Sequence, residues 1–407
     1  MAHLDRMRAQ RLMQESGIDA LILFSPEAFR HATGAAAGVA TMWRRAGSVA
    51  VLIPAEAAAP EMAVVSDLFA PAFRRESHVT DIRESPIWVE ALTLPDVSAS
   101  SQMADLWHAP SRPTGNARPE TFDPQICFNH LRDALAEKGL ASARIGVEYE
   151  AVSARDLPVL INGLGTACLV DGTAVARQLR AVKTSKEISL LCSAVTVAEA
   201  GIAAVRDVVR PGVSRSDLAA VWQATVRDHG VNLPMTGAWE YISVGVDPWG
   251  GDAVAQPGDL VKVDVGCLMD GYTSDTGRTF SVGQPSRLQA ELYNALLAGF
   301  EAGMPLLRPG VPFSEIHLAT QAAIRAQGFP GYSRGHFGHS LGTGPGSEEW
   351  PFISAQSQTV VETGMVLAFE CPLYVTGVGG LIIEDQIEIT PHGPVSMNQL
   401  SRELVVC

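Results

Sequence analysis

The tetrapeptide Arg210-Pro211-Gly212-Val213 recurs as Arg308-Pro309-Gly310-Val311, at an offset of 98 residues. Asp217 maps onto Glu315 and Gly230 onto Gly328 by the same offset. In both copies a helical pattern follows the turn and ends at the glycine, so three features at one offset argue for a duplicated helix-helix-strand unit. Each copy then leads into paired strands. A chain built this way is expected to form a pseudo-twofold domain in which two equivalent hairpins face each other.

The first hairpin reads VKVDVGCLMDGYTSDTGRTF, Val261 to Phe280. Val261, Val263, Val265 and Cys267 alternate with Lys262, Asp264, Gly266 and Leu268, the period of a strand with one face in a core. Asp270-Gly271 supplies the turn. A two-residue turn there sets Gly266 opposite Asp275 and Gly277 opposite Asp264, so both aspartates project from one face as diagonal neighbours. Their Cα atoms then lie roughly 7–8 Å apart, and the facing glycines leave room for whatever the carboxylates grip. Two anions on one face call for a cation between them or a proton on one. The second hairpin places Glu370 in the strand Val366 to Leu373 and Glu384 in Leu381 to Ile389. Between the hairpins, Gly335 to Gly342 (GHFGHSLG) offers the imidazoles of His336 and His339. Four carboxylates with one neutral imidazole suit a pair of borderline divalent cations: manganese, iron, cobalt or zinc.

The chain has 407 residues, which predicts two domains. Its 44 acidic and 30 basic residues give a net charge of −14, which disfavours nucleic acid and anionic membranes as partners and suits a cytoplasmic enzyme. The six cysteines show no CxxC pairs and read as reduced, small buried hydrophobes. No apolar run is expected to reach membrane-spanning length, and the amino terminus lacks the apolar core of a signal peptide. The first domain, residues 1–175, opens with a helix ending at Gly17. Strands follow at Ala20–Phe24, Ser48–Ile53 and Met62–Val65, then a helix after Pro124 ending at Gly139 and a strand Arg144–Tyr149. Leu94 to Pro124, with Trp107-His108, reads as a long irregular excursion. In the second domain, 176–407, Thr184 and Glu187 have capping-box spacing and open a helix running to about Val209.

From roughly residue 184 to 400 the chain resembles the pita-bread metallohydrolases, the family of methionine aminopeptidase, aminopeptidase P, prolidase and creatinase. The preceding part resembles the smaller α/β domain of the prolidase and creatinase branch. The resemblance rests on five residues in family order: Asp264, Asp275, His339, Glu370 and Glu384. It implies an α+β fold with a pita-bread catalytic domain, and two divalent metal ions. Asp264 would hold one, His339 and Glu370 the other, with Asp275 and Glu384 bridging. It further implies a metal-bridging hydroxide attacking a C–N bond carbonyl, Glu370 or His336 moving the proton, a dipeptide or other small-molecule substrate, and a homodimer.

The chain also departs from the peptidases of that family. The loop Val246 to Asp252 lacks the histidine they usually carry, Gly346 stands where a second histidine is usual, Ile382 replaces a common arginine, and Gly277 replaces a hydroxyl residue. Segments around Asp247-Pro248-Trp249, Glu349-Trp350-Pro351 and Glu384-Asp385-Gln386 are similar to pieces of the dimethylsulfoniopropionate lyases, a branch that performs β-elimination. On that reading Trp249, Trp350 and Asp247 line the substrate pocket, the tryptophans stacking on an onium group. Three functional expectations follow. The first is an Xaa-Pro dipeptidase-like metallohydrolase. The second is a non-peptidase reaction on the same metals, either that elimination or a creatinase- or ectoine-hydrolase-like C–N hydrolysis. The third is a metal-free binding scaffold.

Overall fold

The computed structural model describes residues 4–90, 118–344 and 348–407; Trp107, His108 and most of the expected excursion lie outside them. Two compact units divide at Arg180/Ala181. The helix Thr173–Ala181 runs across residue 175. Its Val175, Ala176 and Leu179 sit in the first unit's core, while Ala181 joins a core of the second.

The first unit is a six-stranded sheet of β1 (Ala20–Leu23), β2 (Ala50–Pro54), β3 (Met62–Ser66), β4 (Asp81–Ser85), β5 (Arg144–Val147) and β6 (Cys168–Asp171), in the order β4-β3-β2-β1-β5-β6. Leu21, Leu23, Val51 and Ile53 face one hydrophobic core, and Ala20, Ile22, Ala50 and Leu52 face another. Burial on both faces explains why these strands read as continuous apolar runs rather than alternating ones.

The second unit carries one sheet. Its strands are β7 (Met235–Glu240), β8 (Ser243–Val244), β9 (Leu260–Met269), β10 (Tyr272–Thr273), β11 (Thr276–Ser281), β12 (His336–Ser340), β13 (Glu349–Ser354), β14 (Val366–Glu370), β17 (Glu384–Thr390), β18 (Gly393–Ser396) and β19 (Val405–Val406). A separate pair, β15 (Leu373–Val375) and β16 (Gly379–Leu381), completes the strands. The path β10-β9-β11-β17-β14-β12-β13 corrects the expectation that the hairpins face one another. They lie edge to edge in one sheet, joined where β11 pairs with β17 and Gly277 opposes Glu384. The duplication is visible in the backbone. Gly212 and Gly310 share φ = 89°, and their N–H groups donate to Ala255 O (2.8 Å) and Val361 O (2.9 Å). Helices Ser185–Val208 and Arg215–Gly230 pack on one half of the sheet, and Arg287–Gly303 and Phe313–Ala326 on the other.

The helix Ser185–Val208 begins with the expected capping box of Thr184 and Glu187. Its 24 residues are long and apolar enough to cross a membrane, which corrects the expectation that no run reaches that length. The physical reason is burial: Leu191, Ala194, Val195, Ala198, Ile202 and Val205 are inside the unit, so the helix is apolar because it is a core helix. The cysteines also divide. Cys127, Cys267 and Cys371 are buried, but Cys168 and Cys192 are exposed, against the expectation that all are interior.

Candidate metal centre

The register of three strand pairs builds the site. In β9 and β11 Asp264 opposes Gly277, and Gly277 in turn opposes Glu384 of β17, which opposes Glu370 of β14. β12 runs beside β14 with His339 opposite Ala368. Four side chains from β9, β12, β14 and β17, with Asp275 from the link between β10 and β11, therefore reach one cleft of about 970 Å³, lined by Asp264, Asp275, His339, Glu370 and Glu384 among others. At its floor Asp275, His339 and Glu384 offer one ligand atom each, all within 4.8 Å of one another. His339 Nε2 lies 3.6 Å from Asp275 Oδ2. The other ring nitrogen, Nδ1, is 3.0 Å from the Ser340 carbonyl, an arrangement that gives Nδ1 the proton and leaves Nε2 as a ligand.

The electrostatics call for a cation. Glu384 Oε2 is buried with no hydrogen-bond partner. Burial, then the neighbouring charges of Asp275, Asp264 and Glu370, push the Glu384 carboxyl well above the usual range. A buried anion in that state is stabilised by an ion or by a proton. The donor set of two carboxylates and one imidazole fits a borderline divalent metal.

Two family models match the chain: Metallopeptidase family M24 over residues 190–391, and the Creatinase/Prolidase N-terminal domain over residues 6–182. The Xaa-Pro dipeptidase of Pyrococcus furiosus is 31% identical over 239 residues, 57% of this chain and 67% of that one. An uncharacterized peptidase of Bacillus subtilis, YqhT, is 30% identical over 271 residues, 65% of this chain and 75% of that one.

The chain belongs to metallopeptidase family M24.

Among solved structures, the dipeptidase PepE of Mycobacterium ulcerans is 26% identical, covers 98% of this chain and 96% of its own, and superposes with a TM-score of 0.74. The Xaa-Pro dipeptidase of Bacillus anthracis, at 22% identity and a TM-score of 0.75 over 99% of both chains, shares the fold. The M24 chain is thus a metallohydrolase with the pita-bread fold behind a creatinase-type domain, as its sequence implied.

Several expected site residues take other places. Trp249 lines the cleft, 73% exposed, and stacks on Tyr374 with ring centroids 4.8 Å apart. Trp350 does not line it, because it packs against the hydrophobic core beneath β13. Asp247 does not either; its carboxylate turns back to accept from Trp249 N at 3.0 Å. His336 is not among the cleft-lining residues, but its Nδ1 lies 3.8 Å from Glu370 Oε1 and its Nε2 3.9 Å from Glu348 Oε2, and these three residues form a second group whose ligand atoms lie within 4.8 Å of one another. Burial, then Arg334, lowers the His336 pKa. The glycines opposite the aspartates clear space for something else than expected. A Cβ on Gly277 would meet Ile382 at 2.8 Å, and one on Gly266 would meet Ser274 O at 2.1 Å and the Trp239 ring at 2.4 Å.

Three functional neighbours were not read from the sequence. Lys262, 3% exposed, donates from Nζ to Asp264 Oδ2 (2.9 Å) and to the Tyr374 hydroxyl (3.2 Å). Burial pulls its ammonium down, but Asp264 and Tyr374 outweigh that and leave the pKa raised. Arg334 Nη2 donates to Glu370 Oε1 at 2.7 Å. Lys262 had a sequence signal, its i−2 position on the same strand face as Asp264. Tyr374 and Arg334 had none, since distant segments bring them in.

Proposed function

We propose that this chain hydrolyses the C–N bond of small, dipeptide-type substrates at a divalent-metal centre, with Asp275, His339 and Glu384 as the residues that would hold an ion and Asp264 and Glu370 at its flanks. The observation that carries this reading is the convergence of those three donors around the orphaned Glu384 Oε2. What a divalent ion supplies when bound is Lewis acidity towards a carbonyl oxygen and a more acidic water.

The chain's own residues do the rest. Glu370 is the proton carrier: Arg334 fixes its Oε1 at 2.7 Å, and its position on the cleft wall reaches a leaving amine. His339 Nε2 is held in its ligating tautomer by the Ser340 carbonyl. The stacked Trp249 and Tyr374 form an aromatic wall for the substrate's apolar part. Arg215 also lines the cleft, where its charge suits a carboxylate end, although Glu240 at 3.1 Å shares it.

The Xaa-Pro specificity printed for the Pyrococcus furiosus relative is the first substrate class to test. A second reading, elimination from a small onium substrate, is favoured by the exposed Trp249–Tyr374 pair, whose ring faces can hold a cation. A panel of Xaa-Pro dipeptides, non-proline dipeptides, ectoine-like amides and dimethylsulfoniopropionate separates the two, with ninhydrin-positive product expected from dipeptides. Acrylate release from dimethylsulfoniopropionate with inert dipeptides would replace the peptidase reading by the lyase one.

A further inference from the structure

Beside the cleft lies a second hollow, of about 260 Å³. Leu292 and Leu296 of the helix Arg287–Gly303, Ile324 of the helix Phe313–Ala326 and Phe329 just after it form most of its lining. Leu296 and Ile324 are 1% exposed, so its floor is the hydrophobic core itself. The lining carries no charged side chain among the described residues, and its one side-chain hydroxyl, on Tyr332, donates to the Pro372 carbonyl at 3.3 Å. A polar ligand would lose its water there without gaining a partner. Apolar molecules face no such cost, and a cavity of roughly 150 Å³ lined by similar side chains takes up benzene.

The duplication shows what chemistry covers the corresponding helix end in the first half. The helices cross in the same way in both copies. A Cβ on Gly201 would meet Val226 at 2.8 Å, and one on Gly299, 98 residues on, would meet Ile324, the counterpart of Val226, at 2.4 Å. One turn beyond Val226, a Cβ on Gly230 would meet the Met235 sulfur at 2.2 Å, so the methionine side chain packs over that helix end and onto the core of its half. The counterpart Gly328 would meet nothing within 4 Å, and neither would Gly331 in the lining of the hollow. The same offset brings Ser333 to the place of Met235, and Ser333 is an exposed residue of the cleft lining instead. The second half therefore lacks an apolar filler.

We propose that this hollow is a binding site for a small uncharged apolar molecule, an aromatic ring or a branched alkyl group, which takes the place that Met235 fills in the other half. The site is separate from the metal centre and abuts its cleft, because Tyr332 and Leu373 line both. Their chain neighbours hold cleft groups. Arg334, two residues after Tyr332, donates to Glu370, and Tyr374, next to Leu373, stacks with Trp249 and accepts from Lys262. A ligand that packs on Tyr332 and Leu373 thus bears on the aromatic wall of the cleft from behind. The site does not depend on which reaction the cleft performs.

The probe is indole, titrated into the full chain by calorimetry and followed by fluorine NMR of protein labelled with 5-fluorotryptophan, in which Trp249→Ala identifies the Trp249 signal. One equivalent should bind and shift that signal. Ala295, 1% exposed, is the small residue of the lining, so Ala295→Phe fills the hollow. It should weaken indole at least about tenfold and leave the Trp249 signal unmoved. Leu292→Trp fills it from the rim and should weaken indole likewise, which keeps the test open if Ala295→Phe loses the native circular dichroism. Trp249→Ala should bind indole within about threefold of native. Absence of saturable indole binding would overturn the proposal. So would binding that survives in a filled, natively folded variant or disappears with Trp249→Ala, because indole would then sit on the aromatic wall of the cleft. Bound indole that leaves the Trp249 signal of the native chain unmoved would overturn the link to the cleft.

Discussion

Arg278 offers a test of what holds the centre's backbone in register. Its side chain is 2% exposed and its guanidinium reaches five acceptors. Nε donates to Ser401 O (2.9 Å), Nη1 to Gly277 O (2.8 Å) and Glu384 O (2.6 Å), and Nη2 to Asp385 Oδ1 (2.8 Å) and Leu400 O (2.8 Å). Gly277 and Glu384 are the residues through which the two hairpins are joined. Arg278→Lys keeps the charge opposite Asp385, which Arg402 and Ser396 also hold. Lysine has three donors on one nitrogen, so at least two of the five acceptors lose their partner. Each buried acceptor left unsatisfied costs about 1–3 kcal/mol, so the substitution should destabilise the second unit by about 2–6 kcal/mol. Urea unfolding of the metal-free protein, followed by tryptophan fluorescence and far-ultraviolet circular dichroism, reads that loss. Mn(II) affinity should fall with it, because the Glu384 carbonyl rests on the guanidinium. A loss below about 1 kcal/mol, with Mn(II) affinity unchanged, would refute the claim that the fork geometry, rather than the charge, fixes the junction.

Other outcomes follow from the same contacts. Asp275→Ala should bind no Mn(II) and show no turnover. Chelation should destabilise the native chain by about 2.7 kcal/mol relative to metal at a hundredfold excess over Kd, and should leave Asp275→Ala unmoved in the same urea titration. Trp249→Ala removes one exposed ring of a stacked pair, which should cost about 0.5–1.5 kcal/mol of stability, and removes half of the aromatic wall, so KM should also rise by several-fold. Burial pushes the Cys267 thiol up to about 12 and also raises those of Cys127 and Cys371. A thiol reacts as its thiolate, so iodoacetamide at pH 8 should label Cys168 and Cys192 and spare those three, which gain reactivity only as pH approaches their raised values or on unfolding. Peptide mass spectrometry after timed labelling distinguishes these sites, and early modification of Cys267 would contradict its burial.

What the sequence made legible was local or ordered along the chain. The alternation around Asp264 and the Asp270-Gly271 turn predicted β9 and β11 in their observed register, because strand period and turn chemistry act over a few residues. The capping box at Thr184 was readable for the same reason. The order of Asp264, Asp275, His339, Glu370 and Glu384 along the chain pointed to one cleft, and the structure brings all five to its lining. What stayed hidden was set by partners far away in sequence. Lys262 meets Tyr374 112 residues later, and Arg278 meets Asp385 across 107. The role given to Gly266 and Gly277 failed similarly. Their neighbours Trp239 and Ile382 come from other strands, and no pattern within the hairpin identifies them.

The two halves of the sheet show how a symmetric scaffold carries an asymmetric centre. Outside the cleft the copies agree closely: Ser214 and Pro312 each form a single bridge, to Val254 and Val360, around glycines of identical φ. Even there the first copy has a capping box that Pro312 denies the second. Inside the cleft the halves diverge in charge. The first supplies a buried cation two residues before Asp264, from its own strand; at the matching place the second has Ala368, and Arg334 reaches Glu370 from the segment leading into β12. Backbone pairing alone would give the two halves equivalent carboxylates, and the side chains that differ between the copies set the charge around each: Lys262 sits on Asp264 from its own strand, and Arg334 sits on Glu370 from a distant segment.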